Sequence, residues 1–270
     1  MSMKIAITVA REASPLAPFV LRGPFAGAIR EAAAIGFDAV ELHLPDPGET
    51  NADEILSVCR ETNLRISSIG TGLAFLRDGI TLTHPVETKR LEAKARMERF
   101  IDLGSKLKCV VIIGLMKGQV RDLQSRDQYL KLFEDTLRSL LVLAEEKEVT
   151  LVLEAVNRYE SDIFNTIAET CSFIRQFKSS KLKLHIDTFH MNMEEVRAGD
   201  SIRVAGKLIG HVHIADSNRR FPGQGHYDFP ETIAALKDIG YEGALSVECL
   251  GLPTPRDAAE GAYRYLRKAL

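Results

Sequence analysis

Tryptophan is absent from this 270-residue chain, so any aromatic platform in it has to come from Phe or Tyr. Cysteine is sparse: Cys59, Cys109, Cys171 and Cys249 stand far apart and form no CxxC pair. That spacing argues against a disulfide framework and a zinc knuckle, and the four read as buried, reduced side chains of a cytoplasmic protein. No apolar run approaches the roughly 18 residues that would span a bilayer. The opening MSMKIAITVA lacks the apolar stretch and small-residue cleavage site of a signal peptide and reads as the first strand. Excess charge is missing too. The formal net charge is −2, with acids and bases interspersed, which leaves no basic footprint for nucleic acid. No Pro/Ser-rich linker or low-complexity segment divides the chain, so residues 1–270 are expected to form one domain.

What is present is an alternation. Short β-rich runs at 3–9, 38–43, 65–70, 109–114, 150–154, 182–187, 210–214 and 244–249 are separated by segments of helical periodicity. The helices are expected at 24–35, 52–62, 86–103, 128–146, 166–177, 201–208, 230–239 and 255–270. Asn51 stands where it caps the second of them, and the last has the pattern of a closing amphipathic helix. Gly36 and Gly240 follow two helices whose next strands open alike, IGFDAVEL and IGYEGALSVE, which reads as a repeated αβ joint. Eight βα units in this length predict a single-domain α/β fold, the (β/α)8 or TIM barrel. A doubly wound sheet shows the same alternation, but no G-x-G-x-x-G follows the first strand.

The second reason for a barrel is where the charge falls. TLVLE ends at Glu154, LKLHID at Asp187 and ALSVE at Glu248, while GHVHIADSN carries His213. Each acid closes an apolar run, and an unpaired buried carboxylate is costly. Strand parity lets all four share one interior layer, with His185 and His211 in the layer beneath as core histidines. A single strand-end Glu is more often a hydrogen-bonded structural acid; four matching strand ends point to a shared divalent cation. Three carboxylates and one imidazole suit Mn2+, with Mg2+ or Co2+ as alternatives. Glu160, Arg158, His190, Asp216, Asn218 and Arg219 follow in the loops and could orient a polyhydroxylated ligand, or could serve as loop salt bridges and caps. Glu41 and His43 both point inward from the second strand, to line the pocket floor or to pair with each other.

The segments LEAVNRYESD, DTFHMNMEE, GHVHIADSNRRFPGQGHYDF and SVECL resemble the xylose-isomerase-like barrel superfamily, in particular its ketose 3-epimerase branch of D-tagatose and D-psicose 3-epimerases. The likeness is dense from about residue 150 onward. SSIGTGLAFLRDGITLTHP and VVIIGLMKGQ further resemble a 5-keto-L-gluconate epimerase subgroup acting on tagaturonate- and fructuronate-like keto-acids. The resemblance implies metal ligands Glu154, Asp187, His213 and Glu248, with Glu154 and Glu248 doubling as the catalytic acid/base pair. It implies sugar contacts from Glu160, His190 and Arg219, and a homodimer or tetramer. Lys117, after the fourth strand, is a candidate cation for a substrate carboxylate or else an exposed loop lysine.

The expected activity is a metal-dependent epimerase inverting a stereocentre beside a ketone through an enediolate, on a free ketohexose or a keto-sugar acid. An aldose–ketose isomerase uses the same intermediate. An endonuclease-type phosphodiesterase would call for more metal-ligating histidines and a basic surface. A non-catalytic sugar-binding barrel would be marked by a missing ligand, and none is missing.

Overall fold

The computed structural model describes residues 3–270; Met1 and Ser2 of the opening segment lie outside the described residues. Eight strands form the barrel: β1 (Lys4–Ala10), β2 (Ala39–His43), β3 (Arg65–Gly70), β4 (Val110–Ile113), β5 (Leu151–Glu154), β6 (Leu182–Asp187), β7 (Ile209–Ile214) and β8 (Ala244–Val247). All pair in parallel with their sequence neighbours, and β1 closes on β8 with Lys4 opposite Ala244 and Ile7 opposite Val247. A two-residue strand, Leu21–Arg22, adds to the upper end of β1. The strands are buried on both faces, as expected of a parallel barrel under a helical jacket.

The jacket is α1 (Phe25–Ile35), α2 (Ala52–Thr62), α3 (Glu87–Leu107), α4 (Arg126–Glu146), α5 (Ile167–Ile174), α6 (Ala198–Ala205), α7 (Phe229–Asp238) and α8 (Pro255–Ala269). Asn51 caps α2 by accepting from the N–H groups of Asp53 and Glu54. Thr166, Asp228 and Thr254 cap α5, α7 and α8 in the same way. The repeated joint exists: Gly36 (φ 112°) and Gly240 (φ 68°) turn the chain out of α1 and α7 toward the next strands. At Gly36 a side chain would also strike the Tyr263 hydroxyl, so the glycine serves both the turn and the helix contact.

Differences from the expected elements have local causes. The third helix runs past the expected end at 103 to Leu107, because Gly104 does not break it. A Cβ there would lie 2.8 Å from Val111 Cγ2, so Gly104 lets α3 press against β4. Two seven-residue helices, Gly72–Asp78 and Thr188–Glu194, sit at strand exits and are too short for a periodic signal. The second is nucleated by Asp187, whose Oδ1 accepts the Phe189 N–H at 2.7 Å. The four cysteines are buried and free. Among the described residues no helix is long and apolar enough to cross a membrane.

Where α4, α5 and the loop after β5 meet lies an aromatic core. The Phe133 ring sits 5.7 Å from Tyr129, 5.9 Å from Phe164 and 5.6 Å from Phe173, all fully or nearly buried. These rings hold the helices that flank the loop after β5. Phe133→Ala is expected to destabilise the fold by about 3–5 kcal/mol, read as a lowered midpoint in chemical denaturation, through lost burial and the cavity left behind.

Candidate active site

The C-terminal ends of the strands surround a cavity of about 300 Å3. Its polar lining includes His43, Glu154, Glu160, His190, His213, Arg219 and Glu248. Its apolar lining comes from Leu16, Phe19, Leu76, Ile112, Leu115 and Val156. In a chain without tryptophan, Phe19 provides the ring, lying 4.2 Å from the imidazole of His43 between centroids.

Glu154 ends β5, Asp187 ends β6, His213 is in β7 and Glu248 directly follows β8. Their side chains converge. His213 Nδ1 lies 4.0 Å from Glu154 Oε1, 3.9 Å from Asp187 Oδ2 and 3.6 Å from Glu248 Oε2. Glu154, Asp187 and His213 offer donor atoms that all lie within 4.8 Å of one another, a group able to hold a metal ion. Two of these atoms, Asp187 Oδ2 and His213 Nδ1, are buried with no hydrogen-bond partner among the described residues. A divalent cation fits this donor set.

The electrostatics agree. Burial, reinforced by the neighbouring carboxylates, pushes Glu154 up to about 8 and Asp187 up to about 6. Burial works against ionised Glu248 as well, but His213 and Arg219 outweigh it and bring its carboxyl down to about 2. Burial would likewise discharge His213, yet Glu41 and Glu248 hold its imidazolium well above the ordinary histidine range. The site therefore keeps protons that an arriving cation must displace.

Around this centre, Arg219 bridges two acids, with Nη1 3.0 Å from Glu160 Oε1 and Nη2 3.1 Å from Glu248 Oε2. Its guanidinium lies 4.5 Å from the Phe189 ring centroid. Its backbone takes a left-handed φ of 59°, and Asp216 and Asn218 build that loop: Asp216 accepts from the N–H groups of Ser217, Gly223 and Tyr227. Asn218 donates to Gln224 O and accepts from Arg220 N–H. Arg158 points away and pairs with Glu194 at 2.8 Å. His190 is buried and neutral, burial and then Arg219 lowering its pKa. Asn157, absent from the sequence-level candidates, donates to His190 Nδ1 at 2.7 Å and to Glu160 Oε1 at 2.9 Å. That leaves the His190 N–H on Nε2, 3.7 Å from both Glu154 and Asp187.

Lys117 is not an exposed loop lysine. It is fully buried behind the cavity, its Nζ 3.5 Å from the main-chain oxygen of Glu154, and it does not line the cavity wall. Burial pushes its ammonium down to about 8. His185 and His211 lie in the layer below the site. The His185 ring packs edge-on against His213 at 4.1 Å and has no hydrogen-bond partner among the described residues, while His211 bonds Glu41.

Residues 29–269 match the family described as xylose isomerase-like TIM barrel. The chain belongs to that family. It is 31% identical to a D-psicose 3-epimerase of Agrobacterium fabrum, covering 84% of this chain and 78% of that one. It is 34% identical to an L-ribulose 3-epimerase of a Methylomonas species, covering 82% and 77%. A crystal structure of D-allulose 3-epimerase from Methylomonas superposes with a TM-score of 0.84 at 25% identity, covering 100% of this chain and 98% of that one.

A barrel of this family with three carboxyls at one centre should bind cations in a pH-dependent way. Glu154 and Asp187 keep their protons to higher pH in the folded chain than when unfolded, so the metal-free protein loses their stabilising protonation as pH rises through about 6 and then about 8. Added Mn2+ is expected to raise Tm more at pH 8 than at pH 6, with proton release on binding measurable by calorimetry in buffers of different ionisation enthalpy. An equal Tm shift at both pH values would contradict this.

Proposed function

We propose that this protein is a divalent-metal-dependent epimerase that inverts a stereocentre next to the ketone of a ketose or keto-sugar acid. The observation that carries the reading is the convergence of Glu154 and Glu248 on His213 Nδ1 from separate strand ends, at 4.0 and 3.6 Å, inside a cavity of monosaccharide size. The named activities of its relatives support it.

In this reading Glu154, Asp187, His213 and Glu248 hold the ion, Mn2+ by preference, with Mg2+ or Co2+ as substitutes. When bound, the ion acts as a Lewis acid toward the substrate carbonyl and a neighbouring hydroxyl. One of the two glutamates removes the proton on the carbon beside the ketone, and the enediolate that results takes a proton from the other on the opposite face. His190 Nε2–H, Glu160 and Arg219 orient the sugar oxygens. The apolar lining residues meet the carbon-bound hydrogens of the sugar and help exclude water.

Arg219 lines the cavity, so a substrate carboxylate would be met there, and Lys117 would act from behind the lining through its field. The active assembly is proposed to be a homodimer or tetramer.

Glu248→Gln is expected to lower kcat by about 10^2–10^4 with the fold and Tm retained. Turnover should be lost on chelation and restored by Mn2+ across a panel of ketohexoses and keto-hexonates. In D2O, label should enter at the inverted carbon beside the ketone. Label found instead from transfer between C1 and C2 would replace epimerisation by aldose–ketose isomerisation.

A further inference from the structure

One buried acid has no part in the reaction as proposed. Glu41, in the middle of β2, is fully buried and does not line the cavity. Its carboxylate nevertheless accepts four hydrogen bonds. Oε1 takes His43 Nε2 at 2.6 Å and His213 Nε2 at 2.7 Å. Oε2 takes His211 Nε2 at 2.6 Å and the Ser68 hydroxyl at 2.5 Å. A carboxylate offers about four acceptor directions, so Glu41 is saturated.

Saturation has a consequence for His213. An ionised carboxylate can only accept, so each imidazole nitrogen facing it must carry the hydrogen. For His213 this places the N–H on Nε2 and turns Nδ1 toward Glu154, Asp187 and Glu248, where it has no other partner. The ring cannot easily swing away. His185 abuts it edge-on at 4.1 Å, and His211 stands 5.3 Å away at a steep angle. His43 is held by the same oxygen and packed against Gly70, where a Cβ would collide with its ring.

We propose that Glu41 is a positioning residue, whose carboxylate holds the hydrogen on His213 Nε2 and aims Nδ1 at the metal ion. The proposal rests on the metal-dependent reading of the site. Imidazole ligands commonly donate their second N–H to a carboxylate, and loss of that partner lowers metal affinity about 10–100-fold. Glu41 reaches the site from β2, the side of the barrel opposite in sequence to the ligand strands β5 to β8. Through it, the N-terminal half of the chain sets the geometry of a centre whose ligands all come from the C-terminal half.

The test is a double-mutant cycle on the full chain, with Mn2+ affinity of the metal-stripped protein read by calorimetry. His213→Gln should lose affinity. Glu41→Gln should lose about 10–100-fold. In the His213→Gln background, Glu41→Gln should add less than about twofold, because its effect passes through the imidazole. Affinity of Glu41→Gln within about twofold of the parent overturns the proposal while leaving the metal reading intact. So does an equal loss in both backgrounds, which would mark a purely structural acid. Unchanged affinity in His213→Gln would overturn the metal reading and the proposal together. If Glu41→Gln does not fold, the unsubstituted protein loaded with diamagnetic Mg2+ decides. Two-bond 1H–15N correlation should show the His213 proton on Nε2, and a proton on Nδ1 would refute the assignment.

Discussion

Negative charge buried at the mouth of the barrel is the constraint on which the rest of this structure depends. Glu41, Glu154, Asp187 and Glu248 are all less than a tenth exposed and lie around a single imidazole. Carboxylates withdrawn from water must be paired, hydrogen-bonded or protonated. The fold meets this requirement unevenly. Glu41 is surrounded by imidazole N–H groups and a hydroxyl, and Glu248 is met by His213 and the Arg219 guanidinium. Glu154 and Asp187 receive less, and their carboxyls are pushed upward as a result. The shortfall is concentrated at one point, where a cation fits.

The uneven distribution also separates support from chemistry. Beneath the cavity, Glu41, Ser68 and His211 are closed upon one another by hydrogen bonds, and Glu41 reaches up to His213 in the cavity lining. Above it, Asn157 ties His190 to Glu160, and Arg219 ties Glu160 to Glu248. His190 and Glu160 are thus gripped from behind by Asn157, and His213 by Glu41, neither of which lines the cavity. Loops carry several of these side chains, and the Asp216 turn shows how a loop gains the necessary firmness. There one buried carboxylate collects three backbone N–H groups and holds Arg219 in its left-handed conformation.

Much of this was legible in the chain. Strand and helix alternation showed the barrel because β-runs buried on both faces and amphipathic helices differ in period. The acids were visible because Glu154 and Asp187 close strands that are otherwise apolar, and Glu248 follows such a strand directly. Asn157 was not visible, since an Asn in a loop gives no signal until its amide is seen against His190. Lys117 was placed after the right strand, but a sequence cannot say that a lysine in a glycine-flanked turn faces inward and is buried. Arg158, adjacent to Asn157, turned outward to Glu194 for equally local reasons.

By itself the sequence determined the eightfold βα pattern, the strand-end positions of the candidate ligands and the parity that lets them share a layer. These are consequences of periodicity, which is a property of neighbours along the chain. Only the tertiary structure decided the partners. Glu41 and His213 are 172 residues apart, and their hydrogen bond exists because barrel closure brings β2 and β7 to face each other across the interior. Charge compensation is a property of distance in space, and no pattern along the chain contains it.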